Sequence, residues 1–278
     1  MGGARLLVDG AQLVPHQPVN MRGSGADDGL DFLVFSAHKL YAPYGAGVLV
    51  APRSAFHGLP DELGGGIVDL VTLANVVWTE VPGREEAGSP NVIGAVALGV
   101  AIETLLELDF DEMLRYEVGL GGRLLTGLSR IPGVTVLGGA ETPPDAPRLG
   151  LASFVIDGVH HGLAAAALSH EWGIAVRNGC FCANPYVFHL LHMSKAAVDS
   201  VEGEVNAGHR KALPGAVRAS LAPYNDEAEV DRFVEAVGHI ARGDLQGGYE
   251  QAADGTFSPP GGWPKIASPL RSLVQPLP

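Results

Sequence analysis

FSAHKLYA, residues 35–42, joins an apolar run at 32–35 to the glycine-bearing return PYGAGVLV at 43–50. The β-branched and aromatic residues of the first run predict a strand. Tyr44 and Gly45 mark a short reversal, and 47–51 predicts a second strand running back antiparallel beside the first. Lys39 is therefore presented at the end of a sheet strand. An amine becomes a nucleophile towards an aldehyde only where burial or nearby positive charge lowers its pKa. A lysine that simply faces solvent after a strand satisfies the same local pattern.

Outward from this stretch the chain alternates between two periods. A β-type run at 5–8 ends in Asp9, and a loop carrying Gly64, Gly65 and Gly66 follows the lysine region. Ser89 as N-cap and Pro90 in the first turn predict a helix reaching Leu108, and 109–131 predicts a second one, closed by Pro132 and Gly133. Further on, strands are expected at 134–137, 152–156, 174–177 and 216–221. Helices are expected at 162–172, through Leu191 and Gly208, and at 226–241. This is a mixed α/β pattern. It divides into a lysine-bearing sheet portion at 1–90, a smaller α/β domain at 91–242, and a Gly/Pro-rich tail at 243–278 that lies on the surface or lacks fixed structure.

Composition narrows the function. With 278 residues, 46% of them hydrophobic, the chain can bury a substantial core. A net charge of −13 without any basic run excludes a nucleic-acid partner, so an anionic ligand must be held by local groups. No stretch approaches the roughly 20 apolar residues of a membrane span, and no N-terminal segment combines a basic flank with an apolar core. Cys180 and Cys182 are separated by one residue, too close for an ordinary unstrained disulfide, which fits a reducing cytoplasm.

Several residues can carry chemistry. Asp9 ends a strand before Gly10, Ala11 and Gln12, so a carboxylate and an amide can project from the same edge as Lys39. Pyridoxal phosphate chemistry uses such an acid to keep a ring nitrogen protonated, although an aspartate before glycine also forms turns for its own sake. Ser36 and His38 can donate to a phosphate. Cys180, Cys182, His189 and His192 are four potential metal ligands, but their spacing departs from structural zinc patterns, and no metal is expected.

The joint pattern resembles a known family. VDGAQ at 8–12, DFLVFSAHKLYAPYGAGVL at 31–49 and REEAGSPN at 84–91 are similar to the class V pyridoxal-phosphate enzymes of aminotransferase fold type I, in the order and spacing of the cysteine desulfurase branch. The resemblance implies that the chain is the C-terminal portion of a fold type I transferase, with part of the large-domain sheet and an α/β small domain. By it Lys39 holds pyridoxal 5′-phosphate covalently, Asp9 pairs with the ring nitrogen, Gln12 meets the ring hydroxyl, and Ser36 and His38 contact the phosphate. Ser89 stands where that branch has a threonine reaching the phosphate of a neighbouring subunit, so a homodimer is implied.

IAVRNGCFCANP at 174–185 resembles the loop carrying the desulfurase nucleophile, which falls on Cys182. A thiolate that attacks sulfur must be mobile, partly exposed and of depressed pKa, which suits a glycine-bounded loop beside an arginine. Arg177 and Arg218 match the arginines of the substrate carboxylate, a two-point role that suits a planar guanidinium, while structural ion pairs would use the same residues. GCFC with AGH at 207–209 and PGAVRAS at 214–220 looks most like the desulfurase-type domain of molybdenum-cofactor sulfurases, although sulfur delivery to that cofactor is not expected of this chain alone.

The resemblance implies sulfur abstraction from an amino-acid substrate through a persulfide, with a possible sulfur-acceptor protein. Transamination or carbon–sulfur lysis, with Cys182 a bystander, is the alternative within the family. A non-catalytic binding or dimerising remnant is the alternative outside it. Relative to the family, roughly the first two fifths of the fold are missing, which predicts a fragment or a late start and leaves apolar faces and a sheet edge uncovered.

Overall fold

The structure is a computed structural model that describes residues 4–25, 28–138 and 148–264. It divides into two compact units, Met1–Arg115 and Tyr116–Pro278. Among the described residues no helix is long and apolar enough to cross a membrane.

The first unit is built on a three-stranded sheet of order β1-β2-β3, formed by β1 (Leu7–Asp9), β2 (Phe32–Ser36) and β3 (Gly47–Val50). β1 and β2 are parallel, with Asp9 opposite Val34, and β2 and β3 are antiparallel, with Ser36 opposite Gly47. A tight 3-10 turn, Ala37–Leu40, follows β2 and closes on Tyr41 in the left-handed region. A hairpin that the sequence did not announce, β4 (Val68–Val71) with β5 (Val76–Trp78), comes next. α1 (Val92–Glu107) packs Leu98 and Leu105 against Ala37, Leu40 and Ala42, so the lysine turn rests on a helix. Its opposite surface, with Val92, Ile93, Val96 and Val100, is exposed, as are Leu7 on the edge strand and Leu49.

The cap of α1 differs from the expectation. Asn91, not Ser89, caps the helix. Its Oδ1 accepts from Gly94 N at 2.9 Å while its Nδ2 donates to Tyr44 O at 2.6 Å. A carboxamide can serve the helix end and the lysine return together, which a serine hydroxyl two residues earlier cannot.

The boundary between the units falls inside α2 (Phe110–Ser129). The second unit holds an antiparallel sheet of order β6-β7-β9-β8, from β6 (Val134–Val136), β7 (Leu151–Ile156), β8 (Arg177–Gly179) and β9 (Ala216–Ser220). Strand alternation sends Ala152, Phe154 and Ile156 of β7, and Val217 and Ala219 of β9, to one face. There they meet Leu124 and Leu128 of α2, Ala167 and Leu168 of α3 (His161–Trp172), and Phe233 and Val237 of α6 (Glu227–Ala241). Arg218 alternates with Val217 and Ala219 and so leaves the sheet on the face away from this core.

β8 begins later than the expected strand at 174–177, because Ile174 N is taken by Leu168 O in the helix C-cap and Ile174 and Val176 pack into the core unpaired. α4 (Asn184–Leu190) and α5 (Lys195–Asn206) connect β8 to the 207–215 segment. Beyond α6 the chain is more ordered than its Gly and Pro content suggests. β10 (Glu250–Gln251) and β11 (Phe257–Ser258) pair, Tyr249 Oη donates to Glu171 Oε1 at 2.7 Å, and Pro259 is buried. Aromatic anchors supply contacts that periodicity does not reveal. The rest of the expected tail, 265–278, lies outside the described residues.

Candidate active site

Two clusters of the predicted residues form, one in each unit. In the first, the parallel pairing of β1 and β2 brings both C-terminal ends to one edge of the sheet, where α/β folds place ligands. Asp9 lies at the end of β1, and Ser36, His38 and Lys39 lie at the end of β2 and in the turn beyond it. Asp9 is exposed, with Oδ1 accepting from Ala11 N at 3.0 Å, and Gly10 N donates to Val34 O at 2.8 Å. Gln12 lies half-buried in the following turn. Lys39 is half-buried between the buried Ala37 and Leu40, whereas His38 is exposed. Ala37 N donates to Ala46 O at 2.9 Å, fixing the turn against the return. Ser89 is exposed two residues before Asn91, whose side chain ties α1 to that return.

In the second unit Arg177 and Arg218 face each other directly across β8 and β9. Two guanidinium groups repel, and Arg218 Nε is buried without a hydrogen-bond partner. Burial, and then the Arg177 charge, push the Arg218 pKa down, while the Cys182 thiolate opposes them. A buried guanidinium with an unmet N–H carries donor capacity of the kind an anion satisfies. Phe181 lies under the Arg218 guanidinium, 5.0 Å from its ring centroid, a cation–π contact.

The cysteine loop is a tight reversal. Ala183 N donates to Cys180 O at 2.8 Å, and Phe181 and Cys182 have φ values of 53° and 62°. A bulky residue with positive φ is uncommon and persists only where tertiary contacts over-determine it. Those contacts come from the 213–215 segment. Cys180 Sγ donates to Pro214 O at 3.3 Å, and His161 sits between Asn178 Oδ1 at 3.1 Å and Leu213 O at 3.0 Å. A Cβ on Gly215 would lie 2.6 Å from Gly179 Cα, so only glycine allows this approach. Cys182 emerges exposed and Cys180 half-buried.

Behind the loop is a cavity of about 780 Å³ lined by His160, His161, Cys180, Cys182, Phe188 and Trp263, among others. His160 accepts from Gly162 N as the cap of α3 and packs against Phe257 at a tilt, with ring centroids 5.2 Å apart and planes 39° from parallel. Burial, and then the neighbouring His161, hold its pKa below the usual histidine value. Reading the sequence did not single out His160, His161, Asn91 or Phe181. Their work depends on partners distant in sequence. Only the SPN tripeptide and the residue between the two cysteines mark their places. His189 and His192, weighed as metal ligands, lie at the end of α4, with His189 stacked on Tyr186 at 6.5 Å.

The chain matches the aminotransferase class-V family over residues 1–233. It is 36% identical over 242 residues to a cysteine desulfurase of Escherichia coli O127:H6, which covers 86% of this chain and 52% of that protein. Among solved structures, a cysteine desulfurase of Thermococcus onnurineus NA1 superposes with a TM-score of 0.69 at 31% identity, covering 86% of this chain and 53% of that one. A cysteine desulfurase of Escherichia coli, solved as its S-sulfonic acid, gives 0.68 at 30% identity, covering 87% and 52%. The chain thus spans about half the length of the curated relatives it matches. These likenesses are to cysteine desulfurases and carry nothing on the molybdenum-cofactor sulfurase branch.

Proposed function

The chain belongs to the aminotransferase class-V family, and on that premise we propose that it serves a cysteine desulfurase that uses pyridoxal 5′-phosphate and carries sulfur on Cys182. The observation that bears most weight is the pairing of an exposed Cys182, in a strained turn, with an Arg218 whose Nε is buried and unpartnered.

The donor set on the first sheet edge suits the cofactor: an amine, a carboxylate, a hydroxyl and an imidazole stand within one turn of two neighbouring strand ends. Lys39 would hold it, Asp9 would face the ring nitrogen, Gln12 the ring hydroxyl, and Ser36 and His38 the phosphate. When bound, pyridoxal phosphate supplies an electron-withdrawing ring that loosens the bonds at the substrate Cα. The remaining work falls to the chain. Arg218, joined by Arg177, binds the substrate carboxylate in two-point fashion and relieves its own unmet hydrogen bond. Cys182, exposed on the same loop, takes the substrate sulfur as a persulfide.

A homodimer belongs to the same proposal. The exposed Val92, Ile93, Val96 and Val100 of α1 give such an interface an apolar surface, and Ser89 would reach the neighbouring phosphate. A sulfur-acceptor protein and a cytoplasmic setting are also proposed, supported by the two free thiols. The test is product analysis with cysteine and pyridoxal phosphate. Alanine and transferable sulfur should form, and Cys182→Ala should abolish the sulfur transfer. Pyruvate formation unchanged in Cys182→Ala would show a lyase instead.

A further inference from the structure

The turn that presents Cys182 also positions the second thiol. With both central φ values positive and a hydrogen bond from Ala183 N to Cys180 O, residues 180–183 make a type I′ turn. Backbone curled this way sets successive Cα–Cα steps of about 3.8 Å at roughly a right angle, which puts the Cα atoms of Cys180 and Cys182 about 5.4 Å apart. That lies inside the range of roughly 4.4–6.8 Å that a disulfide spans. The turn thus meets the Cα–Cα requirement for a disulfide in two cysteines whose sequence spacing argues against an easy one, and closing it requires Cys180 Sγ to leave Pro214 O.

The two thiols have different surroundings. Cys182 is exposed, whereas Cys180 is half-buried on the wall of the cavity, its Sγ donating to Pro214 O. Burial pushes the Cys180 thiol up, so it is the weaker competitor for sulfur arriving from substrate and attacks only through its minor thiolate fraction. It remains next to whatever sulfur Cys182 has acquired, at the high effective concentration of an intramolecular neighbour.

We propose that Cys180 is a resolving thiol, which attacks Sγ of a Cys182 persulfide, closes a Cys180–Cys182 disulfide and expels the terminal sulfur as hydrosulfide. This rests on the reading of Cys182 as the persulfide carrier. One S–S bond replaces another: the terminal sulfur is reduced, the Cys180 sulfur is oxidised, and the Cys180 proton leaves with the hydrosulfide. No external oxidant is needed. A ring closed across a single intervening residue is strained, and strained disulfides are readily reduced, so a dithiol reductant restores both thiols. In the absence of a sulfur acceptor the chain releases sulfide once and then waits, blocked, for that reductant.

The chemistry can be tested on this chain without cofactor. Wild type and Cys180→Ser, in which the hydroxyl still donates to Pro214 O, are treated with sodium tetrasulfide, freed of excess reagent and followed by peptide mass spectrometry. In wild type the 177–185 region should become lighter by two hydrogens as sulfide appears, one per chain. In Cys180→Ser it should stay heavier by one sulfur, with a lifetime longer by about tenfold or more. A wild-type persulfide as long-lived as that of the variant, a disulfide joining two chains instead, or no persulfide on either chain would overturn the proposal. A parallel incubation of Cys180→Ser with cysteine and pyridoxal phosphate separates the two readings. Sulfur from tetrasulfide but none from cysteine would remove the desulfurase reading and leave the resolving chemistry in place.

Discussion

Arg218 is held in a state that a free guanidinium avoids, half-buried, opposite another arginine and with Nε unbonded. Its planar fork is what a carboxylate would complete. Arg218→Lys keeps the charge but loses the two-point geometry, and a charge-assisted bond is worth about 1.5–3 kcal/mol, so KM for cysteine should rise roughly 10- to 100-fold with kcat less affected. Steady-state kinetics checks this. An unchanged KM would leave the arginine a purely structural member of the sheet. His160 offers a pH test. Its Nδ1 must be unprotonated to accept from Gly162 N, and its pKa is held low by burial and by His161. Below about pH 6.5 the unfolded chain therefore takes up the proton more readily than the folded one, so this contribution is complete above that pH and drains away as pH falls. His160→Asn keeps a capping acceptor that does not titrate. Urea unfolding at about pH 7.5 and pH 5.5 should show a smaller acid loss in the variant, and an equal loss would contradict the assignment. The placement of Lys39 in a turn after a strand was legible from sequence because strand, turn and glycine lie within a few residues of it. The cap role of His160 was not, since histidine is not a usual N-cap residue and its ring is held in place by Phe257, far along the chain.

At the scale of elements, the second site depends on how closely β8 and the segment before β9 approach. Gly215→Ala sets a Cβ 2.6 Å from the Gly179 backbone and 2.8 Å from the His161 ring. Backbone cannot yield as a flexible side chain does, so the variant should lose about 1–3 kcal/mol of stability and loosen the turn that carries Cys182. Chemical denaturation, with the alkylation rate of Cys182 as a local readout, checks both effects. Helices and most strands were readable from period and punctuation, as with β7, whose alternate residues are buried, and α6, whose cap is Asp226 with Glu229 completing the box. The start of β8 was not readable, because helix capping at Ile174 and core packing compete with pairing there. Nor was the β10–β11 hairpin, which is held by Tyr249, Phe257 and Pro259 rather than by any repeat in the sequence.

For the whole molecule, the family and the α/β class were both visible in motif order, and the matches to cysteine desulfurases bear them out. The split into two compact units at Arg115 and Tyr116 was not visible, since it falls inside α2, which reads as one continuous helix. The exposed apolar stripe of α1 predicts self-association. Ile93→Asp, at a position 68% exposed, should weaken dimerisation at least about tenfold in sedimentation experiments while leaving the fold intact. An unaltered dimer would place the interface elsewhere. The central claim concerns Lys39, one of four lysines in the chain. Borohydride reduction of the protein loaded with pyridoxal 5′-phosphate, followed by peptide mapping, should find the pyridoxyl group on Lys39 and none in Lys39→Ala; a label on Lys195, Lys211 or Lys265 instead, or on no lysine, would contradict the account.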